Sequence, residues 1–140
     1  MTITYRMMTE TDLNDDFLTV LSVFGKPVVT RAEAYRQWFR RGVNQKGFVA
    51  VDGEKIVGFA ALLIEPKFWQ CGSVGHIEDV AVLPEYRQQG VASDLLKCCE
   101  NYAKQFGGCY KLVLYCDSEL CDFYTRNGYY KAAHLMRRDL

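Results

Sequence analysis

The chain carries no excess charge: 17 Lys and Arg residues offset 17 Asp and Glu residues, so its formal net charge is zero. A nucleic-acid partner needs a net basic face, so none is expected. Histidine is scarce, with two in the chain, and the cysteines show no zinc-ligand spacing, so no metal is expected. No apolar run approaches the ~20 residues that cross a membrane. The opening residues Met1-Thr2-Ile3-Thr4-Tyr5-Arg6 lack the apolar core of a signal peptide. These absences point to a cytoplasmic protein without membrane contact. Its six cysteines, Cys71, Cys98, Cys99, Cys109, Cys116 and Cys121, then read as reduced, mostly buried thiols rather than disulfides. There is no internal repeat, linker or low-complexity tract. What is present is a 140-residue chain, 49% hydrophobic, which suits one globular domain across 1–140.

Periodicity divides the chain into elements. Ile3 to Met7 alternates as a strand, and Thr9-Glu10-Thr11-Asp12 resembles a capping box. Leu13, Phe17, Val20, Leu21 and Phe24 recur at helical spacing to about Ser22, and Gly25-Lys26-Pro27 breaks the helix. Thr30 opens a second helix with Tyr35, Trp38 and Phe39 on its apolar side, followed by a polar loop from Gly42 to Gly47. Phe48 to Val51 and Ile56 to Ile64 are strands joined at the Asp52-Gly53 turn. Glu65 to Gly75 reads as a loop. From Gln89 a third helix carries Val91, Leu95, Cys99, Tyr102 and Phe106 on one stripe and stops at Gly107-Gly108. Tyr110 to Tyr115 is a strand, Ser118 or Asp117 caps a short helix closed by Gly128, and Tyr129 to Asp139 is a final strand. The strand-helix-strand unit in the second half demands a parallel pair, so a mixed sheet flanked by helices is expected.

The chain is organised around His76 to Ala92. Ile77 to Leu83 is a buried strand that ends at Pro84, which has no amide to donate. Arg87-Gln88-Gln89-Gly90-Val91-Ala92 then turns into a helix. Glycine there admits close backbone approach, and the first free amides of the helix form an anion site. The pattern lacks the Gly-Lys-Ser/Thr of nucleotidases and the three glycines of the dinucleotide fold. It resembles the acyl-CoA pyrophosphate loop of the GNAT superfamily of N-acetyltransferases, in which two splayed parallel strands receive the pantetheine arm.

Three stretches narrow the resemblance to the eukaryotic glucosamine 6-phosphate N-acetyltransferases. They are Gly75-His76-Ile77-Glu78-Asp79-Val80-Ala81-Val82, Gly108-Cys109-Tyr110-Lys111 and Phe123-Tyr124-Thr125-Arg126-Asn127-Gly128-Tyr129. The resemblance implies transfer of an acetyl group from acetyl-CoA to the amine of D-glucosamine 6-phosphate, giving N-acetyl-D-glucosamine 6-phosphate and CoA by direct attack in a ternary complex. The reaction is a step toward UDP-N-acetylglucosamine, needs no metal, and in this family takes place in a homodimer whose last strand crosses to the partner.

By the same resemblance, Tyr124 faces the CoA sulfur, where a phenol can donate to the leaving thiolate. Val80, Ala81 and Val82 offer backbone contacts to the acetyl group and pantetheine. Arg87, Gln88, Gln89, Gly90, Val91, Ala92 and Ser93 hold the pyrophosphate, and Tyr115 stands beside the same cofactor. Glu78 and Asp79 occupy substrate-side catalytic positions. Neighbouring strand residues face opposite ways, so both reach the site only if a bulge intervenes. Ser22, Phe68, Trp69, Gln70 and Tyr110 match substrate-lining positions. Lys67, Lys111, Arg137 and Arg138 are the candidate cations for the sugar phosphate, with the choice between the two arginines open. Tyr115 replaces a common acidic residue and cannot serve as a carboxylate base. His76 reads as a hydrogen-bonded core residue. The alternatives are an acetyltransferase for another small amine, or a non-catalytic acyl-CoA-binding module.

Overall fold

A computed structural model describes residues 2–26 and 28–140. Five strands lie in the order β1-β2-β3-β4-β5: β1 is Ile3–Met7, β2 Gln45–Asp52, β3 Lys55–Pro66, β4 Ser73–Val82 and β5 Cys109–Leu114. The first three pairings are antiparallel and β4 with β5 is parallel, so the sheet is mixed as expected. Among the described residues four α-helices flank it: α1 Asp15–Leu21, α2 Arg31–Arg40, α3 Val91–Gln105 and α4 Cys121–Arg126.

Local chemistry starts the helices. The Thr9 amide donates to Asp12 Oδ2 (2.8 Å), and Asp12 also receives both arms of the Arg6 guanidinium at 2.7 and 2.8 Å. Asn14 accepts the Phe17 amide and starts α1, and Thr30 accepts the Glu33 amide and starts α2. Side chains alternate across a strand, so successive residues of β3 meet different layers. Phe59 packs edge-on to Phe17 of α1, with ring centroids 5.1 Å apart. Its neighbour Gly58 points the other way, and a Cβ there would stand 3.1 Å from Leu95 and 3.2 Å from Val91 of α3. Missing side-chain bulk at Gly58 is what lets α3 lie close to the sheet. Val20, Val49, Val57, Leu62, Leu95, Leu96 and Cys99 are fully buried between these layers.

Several expectations shift. The chain joins the sheet already at Gln45, and the loop between β3 and β4 contracts to 67–72, because backbone pairing extends beyond the apolar runs. Phe39 and Phe106 are each 71% exposed, at positions near helix ends where no opposing layer reaches them. Of the six cysteines only Cys99 is buried. Tyr129 to Asp139 has a strand pattern but no strand, since a ladder needs a partner and none pairs with it among the described residues. The expected break at Pro27 falls outside the described residues.

Candidate active site

Two features of β4 make the site. The first is separation from β5. Their parallel register runs from Ser73 opposite Cys109 to Ile77 opposite Leu114 and stops there, while β4 continues to Val82. The β5-side edge of Glu78 to Val82 is therefore left open to a ligand. The second is a bulge. Phe59 pairs with Ala81 and Ala61 with Glu78, so Asp79 and Val80 both oppose Ala60. Asp79 takes up the extra length at φ +54°, the left-handed region that aspartate enters more readily than most residues. This is the interruption that lets neighbouring carboxylates share one side.

A cavity of about 340 Å³ opens where the strands part, lined by Glu78, Asp79, Val80, Tyr115, Cys116 and Tyr124 among others. Tyr124 is 9% exposed and held edge-on between Phe123 and Tyr129, with centroids 5.0 and 5.9 Å away. Burial, and then the nearby Cys116, push its phenol above the usual tyrosine range, so it is a protonated donor at neutral pH. Loss of water around Asp79 raises its carboxyl as well. Asp79 also belongs to a second cavity of about 320 Å³, between the sheet and the helices α1 and α2. That cavity is mostly apolar, with Phe17, Trp38 and Phe59 in its wall and Arg41 and Lys46 among its few cations. Nothing in the local sequence marks these two cations, because their site exists only once α2 docks on the sheet.

The turn at Gly90 has the shape an anion site needs. Gly90 has φ +82°, and open space surrounds the position a Cβ would take. Around the turn the Arg87 amide bonds to Pro84 and the Asp94 amide to Gly90, which leaves the amides between them for an anion at the start of the 15-residue α3. Ala81 and Val82 are buried and, unlike Val80, line neither cavity.

The remaining candidates do not line the cavity of Tyr124. Lys67 pairs with Glu65, whose other carboxylate oxygen lies 3.0 Å from His76 Nε2, out of line for a hydrogen bond. The ammonium of Lys111 lies 5.7 Å from the centre of the Tyr110 ring, and Arg137 pairs with Asp139 at 2.7 Å. Phe68, Trp69 and Gln70 are exposed in the 67–72 turn, Ser22 donates to the Thr19 carbonyl, and Arg138 is exposed in the C-terminal segment. None of these lines either cavity within one chain. Among the described residues no cluster of three His, Cys, Asp or Glu side chains could hold a metal, and no helix is long and apolar enough to cross a membrane.

A mixed sheet splayed beside a glycine-led helix, with a phenol at the fork, defines an acyl-CoA-dependent N-acyltransferase. The chain belongs to the Acetyltransferase (GNAT) family, whose profile matches residues 10–129; enzymes of this family use acetyl-CoA. It is 40% identical over 103 residues to a glucosamine 6-phosphate N-acetyltransferase of Trypanosoma brucei brucei, covering 72% of this chain and 69% of that one. It is 31% identical over 125 residues to glucosamine 6-phosphate N-acetyltransferase 1 of Oryza sativa subsp. japonica, covering 84% of this chain and 75% of that one. The crystal structure of glucosamine-6-phosphate N-acetyltransferase from Arabidopsis thaliana superposes with a TM-score of 0.89 at 27% identity, over 99% of both chains.

Proposed function

We propose that this chain transfers the acetyl group of acetyl-CoA to the amine of D-glucosamine 6-phosphate, releasing CoA and N-acetyl-D-glucosamine 6-phosphate. What carries the proposal is the bulge at Asp79, which lets Glu78 and Asp79 both line the cavity that holds Tyr124. The names of the relatives support the substrate.

Each group has a task. Glu78 and Asp79 receive the amine, orient it and offer a proton acceptor within the cavity. The open edge of β4 from Glu78 to Val82 supplies amides toward the thioester oxygen, where negative charge develops. The loop from Arg87 to Ser93 holds the pyrophosphate. Tyr124, kept protonated by burial, donates to the departing thiolate. Lys67, Lys111, Arg137 and Arg138 stay the cations for the sugar phosphate, with Ser22, Phe68, Trp69, Gln70 and Tyr110 around the sugar. Because none of these lines the cavity of its own chain, we place the complete site in a homodimer, with such groups delivered by the second copy. Residues 1–140 act as one domain, in the cytoplasm, where exposed thiols stay reduced, and the product feeds UDP-N-acetylglucosamine formation.

The test is kcat/KM for glucosamine 6-phosphate and for glucosamine at one salt concentration. An unpaired phosphate site costs about 2–5 kcal/mol, so the phosphorylated sugar should lead by ~30-fold or more. Equal values would overturn the substrate. The apolar second cavity ending at Asp79 then favours a small amine with an apolar body, which belongs in the same assay.

A further inference from the structure

The sulfurs of Cys116 and Cys121 lie 3.8 Å apart, in hydrogen-bond contact. Cys116 follows the end of β5 in the loop and is exposed; Cys121 is the first residue of α4 and half-buried. No other sulfur–sulfur contact of this kind occurs among the described residues: Cys99 is buried in the core, and the thiols of Cys71 and Cys109 reach backbone carbonyls instead. Cys116 also lines the cavity that Tyr124 lines, and Tyr124 sits one helical turn beyond Cys121. Oxidation at this pair would therefore act on the wall of the reaction site.

We propose that Cys116 and Cys121 are an oxidant-reactive dithiol, with hydrogen peroxide as its electron acceptor, that closes into a disulfide beneath Tyr124. One thiolate attacks the peroxide O–O bond and becomes a sulfenic acid, with water as the leaving product. The second thiolate attacks that sulfur, forms the S–S bond and releases a second water. The two thiols lose two electrons and two protons, and the peroxide takes up both. An S–S bond is about 2.0 Å long, so one or both sulfurs must move from their present separation. That movement pulls the start of α4 toward the end of β5 and displaces the phenol of Tyr124. Displacement by about an ångström can cost ~10²-fold in rate. Four residues separate the two cysteines. So short a loop gains little from being cross-linked, and an exposed bond of this kind is readily reduced.

Around the Cys116 sulfur stand Cys121, Asp117, Tyr124 and Lys131. Burial, then Cys121 and Asp117, hold the thiol above its usual range, while Lys131 opposes them. Closure should accordingly speed up as pH rises from 7 toward 9.

Trypsin isolates both cysteines, and no others, in the single peptide 112–126. After hydrogen peroxide treatment, that peptide from the whole protein should be lighter by two hydrogens and resist alkylation until a dithiol reductant is added. Acetyl transfer, followed by loss of thioester absorbance, should fall ~10-fold or more and return on reduction. Cys121→Ser should keep its basal turnover, show no two-hydrogen loss and resist the reversible inactivation. A treated wild-type peptide that still carries two alkylatable thiols, or separate oxygens on each sulfur, overturns the proposal. So does a formed disulfide that leaves turnover unchanged. The activity arm rests on the acetyl-transfer function, whereas the mass arm does not, so failure of one is distinguishable from failure of the other.

Discussion

Asp79 combines two conformational and electrostatic costs. Its backbone sits at φ +54°, and its carboxyl, exposed to two cavities yet crowded by protein, is harder to ionise than usual. A carboxyl whose folded pKa exceeds the unfolded value of about 3.9 binds its proton more tightly when folded. Its contribution to stability is therefore favourable below that value and is lost as pH rises through the folded pKa. Asn enters the left-handed region as readily as Asp and has no charge to desolvate. Asp79→Asn should thus lose acetyl transfer while melting at a higher temperature than wild type near neutral pH, with the advantage fading toward pH 4. Thermal melts at the two pH values check this, and a lower melting temperature at pH 7 would contradict it. Tyr124→Phe keeps the ring that packs on Phe123 and Tyr129 and removes only the hydroxyl. It should fold normally and lose about 10²-fold in kcat, by comparison with other single-donor deletions, with little change in KM. Wild-type turnover would rule out the donor role.

The elements were legible where a pattern reports directly on burial. The stripe of α3, the alternation of β3 and the capping sequence at Thr9 follow from periods of 3.6 and 2 and from cap chemistry. The features that make the site were not legible. A bulge is two residues opposite one, and which residue is in excess depends on a partner strand that local sequence does not name. The gap between β4 and β5 is likewise a matter of where pairing stops. Gly90 was readable because glycine alone marks its turn, and Gly90→Val should cut acetyl-CoA affinity in calorimetric titration. The residue's φ of +82° adds backbone strain to the obstruction. At the other end of the chain, Asp12 closes the cap and takes the Arg6 fork, and the Arg6 hydrogen bonds hold its carboxyl below the usual range. A depressed folded pKa stabilises above the unfolded value and is lost as pH falls through the folded one. Asp12→Ala should cost ~2 kcal/mol near pH 7 in urea unfolding and progressively less as the medium is acidified below about pH 4. A mutant equally destabilised at all pH values would show that the cap works without its charge.

Seen whole, the chain leaves two surfaces unfinished. β5 is the last strand of the sheet, so its outer edge carries backbone groups without a ladder partner. The segment after Tyr129 has strand-forming residues but no strand, and Tyr130 and Met136 are 85% and 87% exposed. We propose that the open edge and the unpaired, partly apolar segment complete each other across a two-fold axis, each copy giving a strand and receiving one. The same exchange would carry Arg137 and Arg138 to the second copy, and neither lines the cavity of Tyr124 in its own chain, although Leu135 does. The expected species in sedimentation at micromolar concentration is therefore a dimer, twice the 16.1 kDa chain mass. A chain ending at Tyr130 should sediment as a monomer. If the second copy supplies phosphate-binding cations, that truncated chain should also lose its preference for the phosphorylated sugar more than its affinity for acetyl-CoA, because the Arg87 to Ser93 loop is intact. A full-length protein that sediments only at the mass of one chain, with activity undiminished, would contradict both the exchange and the shared site.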